Sequence, residues 1–156
     1  MVTLRPADLS DEARLLEWRN EPTTRAASLN PREISPEDHR RWLASKLADA
    51  HCALFIILAD GQPIGQVRLD QLDGELAEVS LGLAPAARGR GAGREALRLA
   101  AAEARNRLGV KELAARIKAD NEPSLRSFAA AGFNEVRRED DIAELRRAVT
   151  QGTATR

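Results

Sequence analysis

The chain of 156 residues has no tyrosine, one cysteine and two histidines, and aromatic residues make up only 3% of it. Cys52 alone forms neither an intrachain disulfide nor a cysteine metal cluster. His39 and His51 are too few to hold zinc by themselves, so no metal site is expected. No run reaches the ~20 apolar residues of a membrane span. Met1-Val2-Thr3-Leu4-Arg5-Pro6 carries no apolar signal segment, and a cytoplasmic protein without a membrane partner is expected. The formal net charge is zero, from 24 basic and 24 acidic side chains, which offers no general surface for nucleic acid. Lysine is scarce as well: Lys46, Lys111 and Lys118 are the only ones, so arginine supplies nearly all the positive charge.

What is present suits one folded unit. With 43% apolar residues the chain has enough material for a core, and one domain over residues 1–150 is expected, with 151–156 as a frayed tail. Val2 to Arg5 reads as a strand, and Ser10 as the cap of a helix from Asp11 to Asn20. Ser35-Pro36-Glu37-Asp38 combines a capping serine, a proline at the first helical position and acids in the first turn, and starts a helix to Ala48. Cys52 to Ala59 and Pro63 to Leu69 are strands around an Asp60-Gly61 hairpin turn. Asp73-Gly74 turns into a strand from Glu75 to Leu83. Leu97, Ala101, Ala104 and Leu108 keep helical spacing over Arg94 to Leu108. Strand, helix and strand follow at Lys111 to Ile117, Glu122 to Ala131 and Phe133 to Val136. Ile142 to Val149 reads equally as a seventh strand or a helix.

Between the Glu75–Leu83 strand and the alanine-rich helix lies Arg88-Gly89-Arg90-Gly91-Ala92-Gly93. Glycines at alternate positions let the main chain approach a ligand and adopt positive φ. The helix behind them adds unpaired N–H groups and the positive end of its dipole, which suits a pyrophosphate. A dinucleotide fingerprint would require glycine at Arg94, and a P-loop would require Gly-Lys-Ser/Thr, so neither NAD nor ATP is favoured. A second motif lies about 30 residues on: Asn121-Glu122-Pro123-Ser124, then Phe128, then Gly132-Phe133. Asn121 suits a helix N-cap, Pro123 the first turn and Gly132 the C-terminal stop.

Arg-x-x-Gly-x-Gly after a strand, followed by Asn-x-x-Ser, an aromatic residue and Gly-Phe, resembles the GNAT (Gcn5-related) N-acetyltransferases. The resemblance covers residues 2 to 149 and implies an α/β (α+β) fold. Its mixed, mostly antiparallel central sheet would have about six to seven strands, flanked by about four helices. It implies acetyl-CoA as cofactor, with the amides of Arg88, Gly89, Arg90, Gly91, Ala92 and Gly93 on the pyrophosphate. Main-chain groups near Leu81 and Leu83 would pair with the pantetheine arm and polarise the thioester oxygen. Asn121 would reach the pantetheine, and Phe128 occupies a cofactor position where many members place a tyrosine. That tyrosine is thought to protonate the departing sulfur. Here the thiolate, with an ordinary pKa of about 8.5, leaves with help from water or Ser124, or else the protein is a noncatalytic acetyl-CoA-binding module.

An amine acceptor is protonated at neutral pH and must lose a proton before attack. Glu78 is the candidate base, since strand alternation puts Glu78, Ser80 and Gly82 on one face; it serves equally well as a structural acid paired with an arginine. Leu16-Glu17-Trp18-Arg19-Asn20, with Ile34 to His39 and Trp42, resembles the branch acting on nucleotide-linked amino sugars. Trp-Arg-Asn also occurs among ribosomal-protein N-terminal acetyltransferases. The acceptor is therefore a small-molecule amine or a protein N-terminus, with Trp18, Arg19, Asn20 and His39 as substrate-binding candidates. Arg19 would clamp a phosphate and Trp18 would stack on a ring, unless the tryptophans are core anchors and His39 a packing residue. A monomer or a homodimer is expected.

Overall fold

In the computed structural model, residues 1–149 are described. Seven strands form one sheet in the order β1-β2-β3-β4-β5-β7-β6. They are β1 (Val2–Pro6), β2 (Cys52–Ala59), β3 (Gln62–Gln71), β4 (Leu76–Leu83), β5 (Glu112–Lys118), β6 (Asn134–Glu139) and β7 (Ile142–Ala148). All neighbours run antiparallel except β4 and β5. Five helices accompany them: α1 (Glu12–Asn20), α2 (Pro22–Ala27), α3 (Pro36–Ala48), α4 (Ala92–Glu103) and α5 (Glu122–Ala130). The 142–149 segment, open between strand and helix in the sequence, pairs along all of β5 as a strand. The 151–156 tail lies outside the described residues.

The sheet separates two apolar layers. On one side Phe55, Leu69, Val79, Leu97, Leu113, Phe128 and Phe133 belong to the larger core under α4 and α5. Phe128 and Phe133 meet edge to face at 5.0 Å, a geometry worth about 0.5–1.5 kcal/mol beyond burial. On the other side Leu15, Leu43, Leu54 and Ile56 form a smaller core with Trp18 and Trp42 against it. Alternation along β2 explains the division, because Phe55 and Ile57 belong to the first layer and Leu54 and Ile56 to the second.

Several boundaries differ from the sequence reading. Asp8, rather than Ser10, caps the first helical segment, accepting from Ser10 N–H at 2.9 Å, while Asp11 returns a bond to Asp8 N–H at 3.0 Å. A short 3₁₀ turn, Leu9–Asp11, therefore precedes α1. The following helix α2 was not anticipated: Glu21 caps it through Thr24 N–H (2.9 Å) and Pro22 stands at its start, but six residues carry too little periodicity to read. α4 starts at Ala92 instead of Arg94 and continues into a wider π turn over Ala104–Leu108. Phe133 stays in the core and β6 begins one residue later.

Candidate active site

β4 and β5 pair only at Leu76–Glu112, Ala77–Leu113 and Glu78–Ala114. Beyond that rung the two strands part, although β4 continues to Leu83 along β3. The direction of β4's main chain is set at both ends: Ala84 N–H donates to Ile64 C=O on the β3 side, and Glu75 C=O accepts from Glu112 N–H on the β5 side. Alternate residues of a strand direct their N–H and C=O to the same edge, so Leu81 and Leu83 direct theirs into the gap. Leu83 C=O accepts from Arg88 Nε at 3.2 Å.

The glycine loop lies at the end of this gap, between β4 and α4. Gly89 and Gly91 have φ of +78° and +81°, and a Cβ at either position would meet no atom within 4 Å. Gly91 is the N-cap of α4, with no side chain capping the helix, so the first N–H groups of α4 are available to an anion. Gly93 serves another purpose: a Cβ there would approach Leu81 Cδ2 and Ser127 Oγ to 3.3 Å. Its bareness lets α4 lie close to β4 and α5. These features suit a diphosphate at the loop and an extended arm along the gap.

The structure brings Glu78 to the apex of the gap, where both carboxylate oxygens meet Arg116 of β5, Oε2 to Nε at 2.6 Å and Oε1 to Nη2 at 3.3 Å. Of the two readings of Glu78, the arginine pairing is present. Ser80 lies on the same face and accepts from Arg68 Nη2 at 3.5 Å. Asn121 caps α5 as expected, its Oδ1 accepting from Ser124 N–H at 3.3 Å. Phe128 is 1% exposed within the larger core, leaving its ring no surface for a ligand in this conformation. Ser127, one residue earlier, carries the hydroxyl facing the first turn of α4; its signal in the sequence was the three-residue spacing from Ser124.

The Trp-Arg-Asn segment is used internally. Asn20 holds Ile34 at both main-chain groups, donating to its C=O at 2.8 Å and accepting from its N–H at 2.9 Å. Arg19 Nη2 donates to Asn30 C=O at 3.1 Å, while Nη1 is buried without a partner. Trp18 packs on the smaller core. His39, expected to contact substrate or to pack, packs: it is 2% exposed and lies 5.6 Å from Trp42 between ring centres. Burial pushes its pKa down, against a smaller opposing effect of Glu12. The contacts of Arg88 escaped sequence reading altogether. Its guanidinium reaches Thr23 Oγ1 at 2.8 Å and Thr24 Oγ1 at 2.9 Å on α2, and no local pattern marks such a pairing.

A cleft of about 510 Å³ opens at the end of β5, lined by Leu29, Lys118, Ala119, Asp120, Asp140, Asp141 and Ile142. Asp140 and Asp141 form the β6–β7 turn with positive φ at both positions. Among the described residues no cluster of acids, histidine and cysteine forms a metal site, and no helix is long and apolar enough to cross a membrane.

The family model for the acetyltransferase (GNAT) domain matches residues 1–134. The chain belongs to that family, whose members move an acetyl group from acetyl-CoA to an amine. No curated protein matches the sequence, but solved structures agree in fold. The spermidine N-acetyltransferase of Vibrio cholerae, in complex with CoA and spermine, is 18% identical with a TM-score of 0.85, over 94% of this chain and 95% of that one. The protein yncA of Salmonella typhimurium, solved with its cofactor acetyl-CoA, is 23% identical with a TM-score of 0.80, over 98% and 96%. Aminoglycoside acetyltransferase AAC(6')-Ib, with coenzyme A and kanamycin, is 22% identical with a TM-score of 0.79, over 95% of each chain.

Proposed function

We propose that the protein transfers the acetyl group of acetyl-CoA to a primary amine of a small molecule by direct attack on the thioester. The observation that carries this reading is the parting of β4 from β5 after the Glu78–Ala114 rung, with the uncapped glycine loop at its end. In it, the amides of Arg88 to Gly93 take the pyrophosphate, and the free edge at Leu81 and Leu83 takes the pantetheine as an added strand. An N–H of that edge stabilises the charge that develops on the thioester oxygen.

The acceptor ammonium gives up its proton through water to Glu78, whose carboxylate retains lone pairs beside those that accept from Arg116. The amine nitrogen then forms its bond to the carbonyl carbon and releases its second proton to water, the C–S bond breaks, and CoA leaves as thiolate. With Phe128 unable to donate a proton, water or a hydroxyl of Ser124 or Ser127 solvates the sulfur. Glu78→Gln is expected to lower kcat by about 10²–10⁴-fold, the usual range for a lost proton acceptor, with CoA affinity unchanged. Full turnover in that variant would remove Glu78 from the mechanism.

A cationic acceptor fits best. Asp120, Asp140 and Asp141 line, together with Lys118, the cleft at the end of β5, and the relatives from Vibrio cholerae and AAC(6')-Ib were solved with spermine and kanamycin. A nucleotide-linked amino sugar has less support, because Arg19, Asn20 and His39 are engaged in holding α1, α3 and the 28–35 segment together. Screening spermidine, kanamycin and a nucleotide-linked amino sugar for CoA release separates these acceptors.

A further inference from the structure

We propose that α2 is a strap across the open end of the β4–β5 gap, fastened by Arg88 and Lys118, and that the pyrophosphate of coenzyme A unfastens the Arg88 end. This rests on the cofactor reading above and adds a moving part to it.

Helix α2 contains no buried residue, so apolar packing does not hold it in place. Its fastenings to the sheet are polar. At its N-terminal end Arg88 Nη1 donates to Thr23 Oγ1 at 2.8 Å and Nη2 to Thr24 Oγ1 at 2.9 Å, with Glu21 Oε1 at 3.6 Å. At its C-terminal end Lys118 Nζ donates to Ala26 C=O at 2.8 Å. Arg88 follows β4 and is tied to its last residue, Leu83, whereas Lys118 ends β5. The strap therefore joins the two strands at the end where they have separated. Segments held by few buried contacts open at low cost.

Arg88 also begins the loop that cradles the diphosphate. Glu21 accepts from the Thr23 hydroxyl and from the N–H groups of α2's first turn, which keep it ionised down to a pKa of about 2. At neutral pH the guanidinium thus faces one carboxylate at 3.6 Å and two hydroxyls. A diphosphate carries more charge and offers paired oxygens in the geometry a guanidinium prefers. Drawing Arg88 towards it releases Thr23 and Thr24 and frees the N-terminal end of the strap.

Hydrogen exchange of the amides in residues 22–28 reads the strap directly, with CoA binding followed by calorimetry on the same protein. Saturating CoA should speed exchange there by at least about tenfold, since two charge-assisted hydrogen bonds are released and one alone sets that factor. Arg88→Gln should show the faster exchange without ligand and lose the response to CoA, and Thr23→Val should move part of the way. Binding heat with unchanged or slower exchange in 22–28 overturns the strap and leaves the donor assignment standing. Absence of binding heat overturns the donor assignment itself. Arg88→Gln exchanging like the unaltered protein would also refute the proposal.

Discussion

Replacing Gly91 tests the phosphate cradle with a built-in control. Its φ of +81° belongs to the left-handed region, which costs a residue bearing a Cβ about 1–2 kcal/mol, and more for a branched side chain. The new Cβ meets no protein atom within 4 Å, so strain is the whole cost to folding. For a domain of this size, 1–2 kcal/mol lowers Tm by about 3–6 °C. Gly109 has a φ of +67° and likewise an open Cβ position, but it lies at the far end of the helical segment that starts at Ala92, about 25 Å away at 1.5 Å per residue. Gly91→Ala and Gly109→Ala should therefore lose similar stability in thermal melts. CoA affinity, measured by calorimetry, should fall about 10–100-fold in Gly91→Ala through loss of one or two charge-assisted contacts, further in Gly91→Val, and not at all in Gly109→Ala. Unchanged affinity in Gly91→Val, or equal losses at both glycines, would refute the cradle.

The Asp11 carboxylate is fully buried, holds Arg5 at 2.8 Å and 2.9 Å and Arg14 at 2.8 Å, and its bonds with Arg5 hold its pKa below the usual range. Asp11→Asn should cost about 2–3 kcal/mol in urea unfolding, less than the loss of a fully enclosed pair because both arginines reach solvent; a cost under 0.5 kcal/mol would count against the pairing. Because the folded-state pKa is depressed, this contribution is present above pH ~4 and disappears as the pH falls through the folded value. His39 behaves differently: its depressed pKa means that the unfolded chain takes up the proton first. Stability should fall as the pH drops below ~6.5, by at most about 1.4 kcal/mol per unit. Urea curves for His39→Phe should lack that slope, and identical slopes in both proteins would show His39 to be accessible to protons when folded.

Local signals made much of the scaffold legible. Ser35-Pro36-Glu37-Asp38 started a helix because its parts lie within one turn, and Ser35 Oγ does accept from Asp38 N–H at 3.1 Å. The glycine loop was readable for the same reason, since positive φ is a property of single residues. The Trp-Arg-Asn segment was seen but its work was not. Asn20 pairs with Ile34, 14 residues away, through main-chain groups that leave no mark on residue type.

The sequence alone determined the helix starts at Ser35 and Asn121, the turn at Asp60-Gly61, the alternation that gives each strand two faces, and the two motifs that mark the family. All of these depend on conformational preferences within a few residues. The tertiary structure decided where β4 and β5 part, which arginine meets Glu78, that Phe128 packs on Phe133, and that α2 is tied to Arg88 and Lys118 across 65 and 92 residues of chain. Those outcomes depend on register and on the close approach of distant segments. A side chain's chemistry states what it can bind, whereas only the folded chain brings a partner within reach.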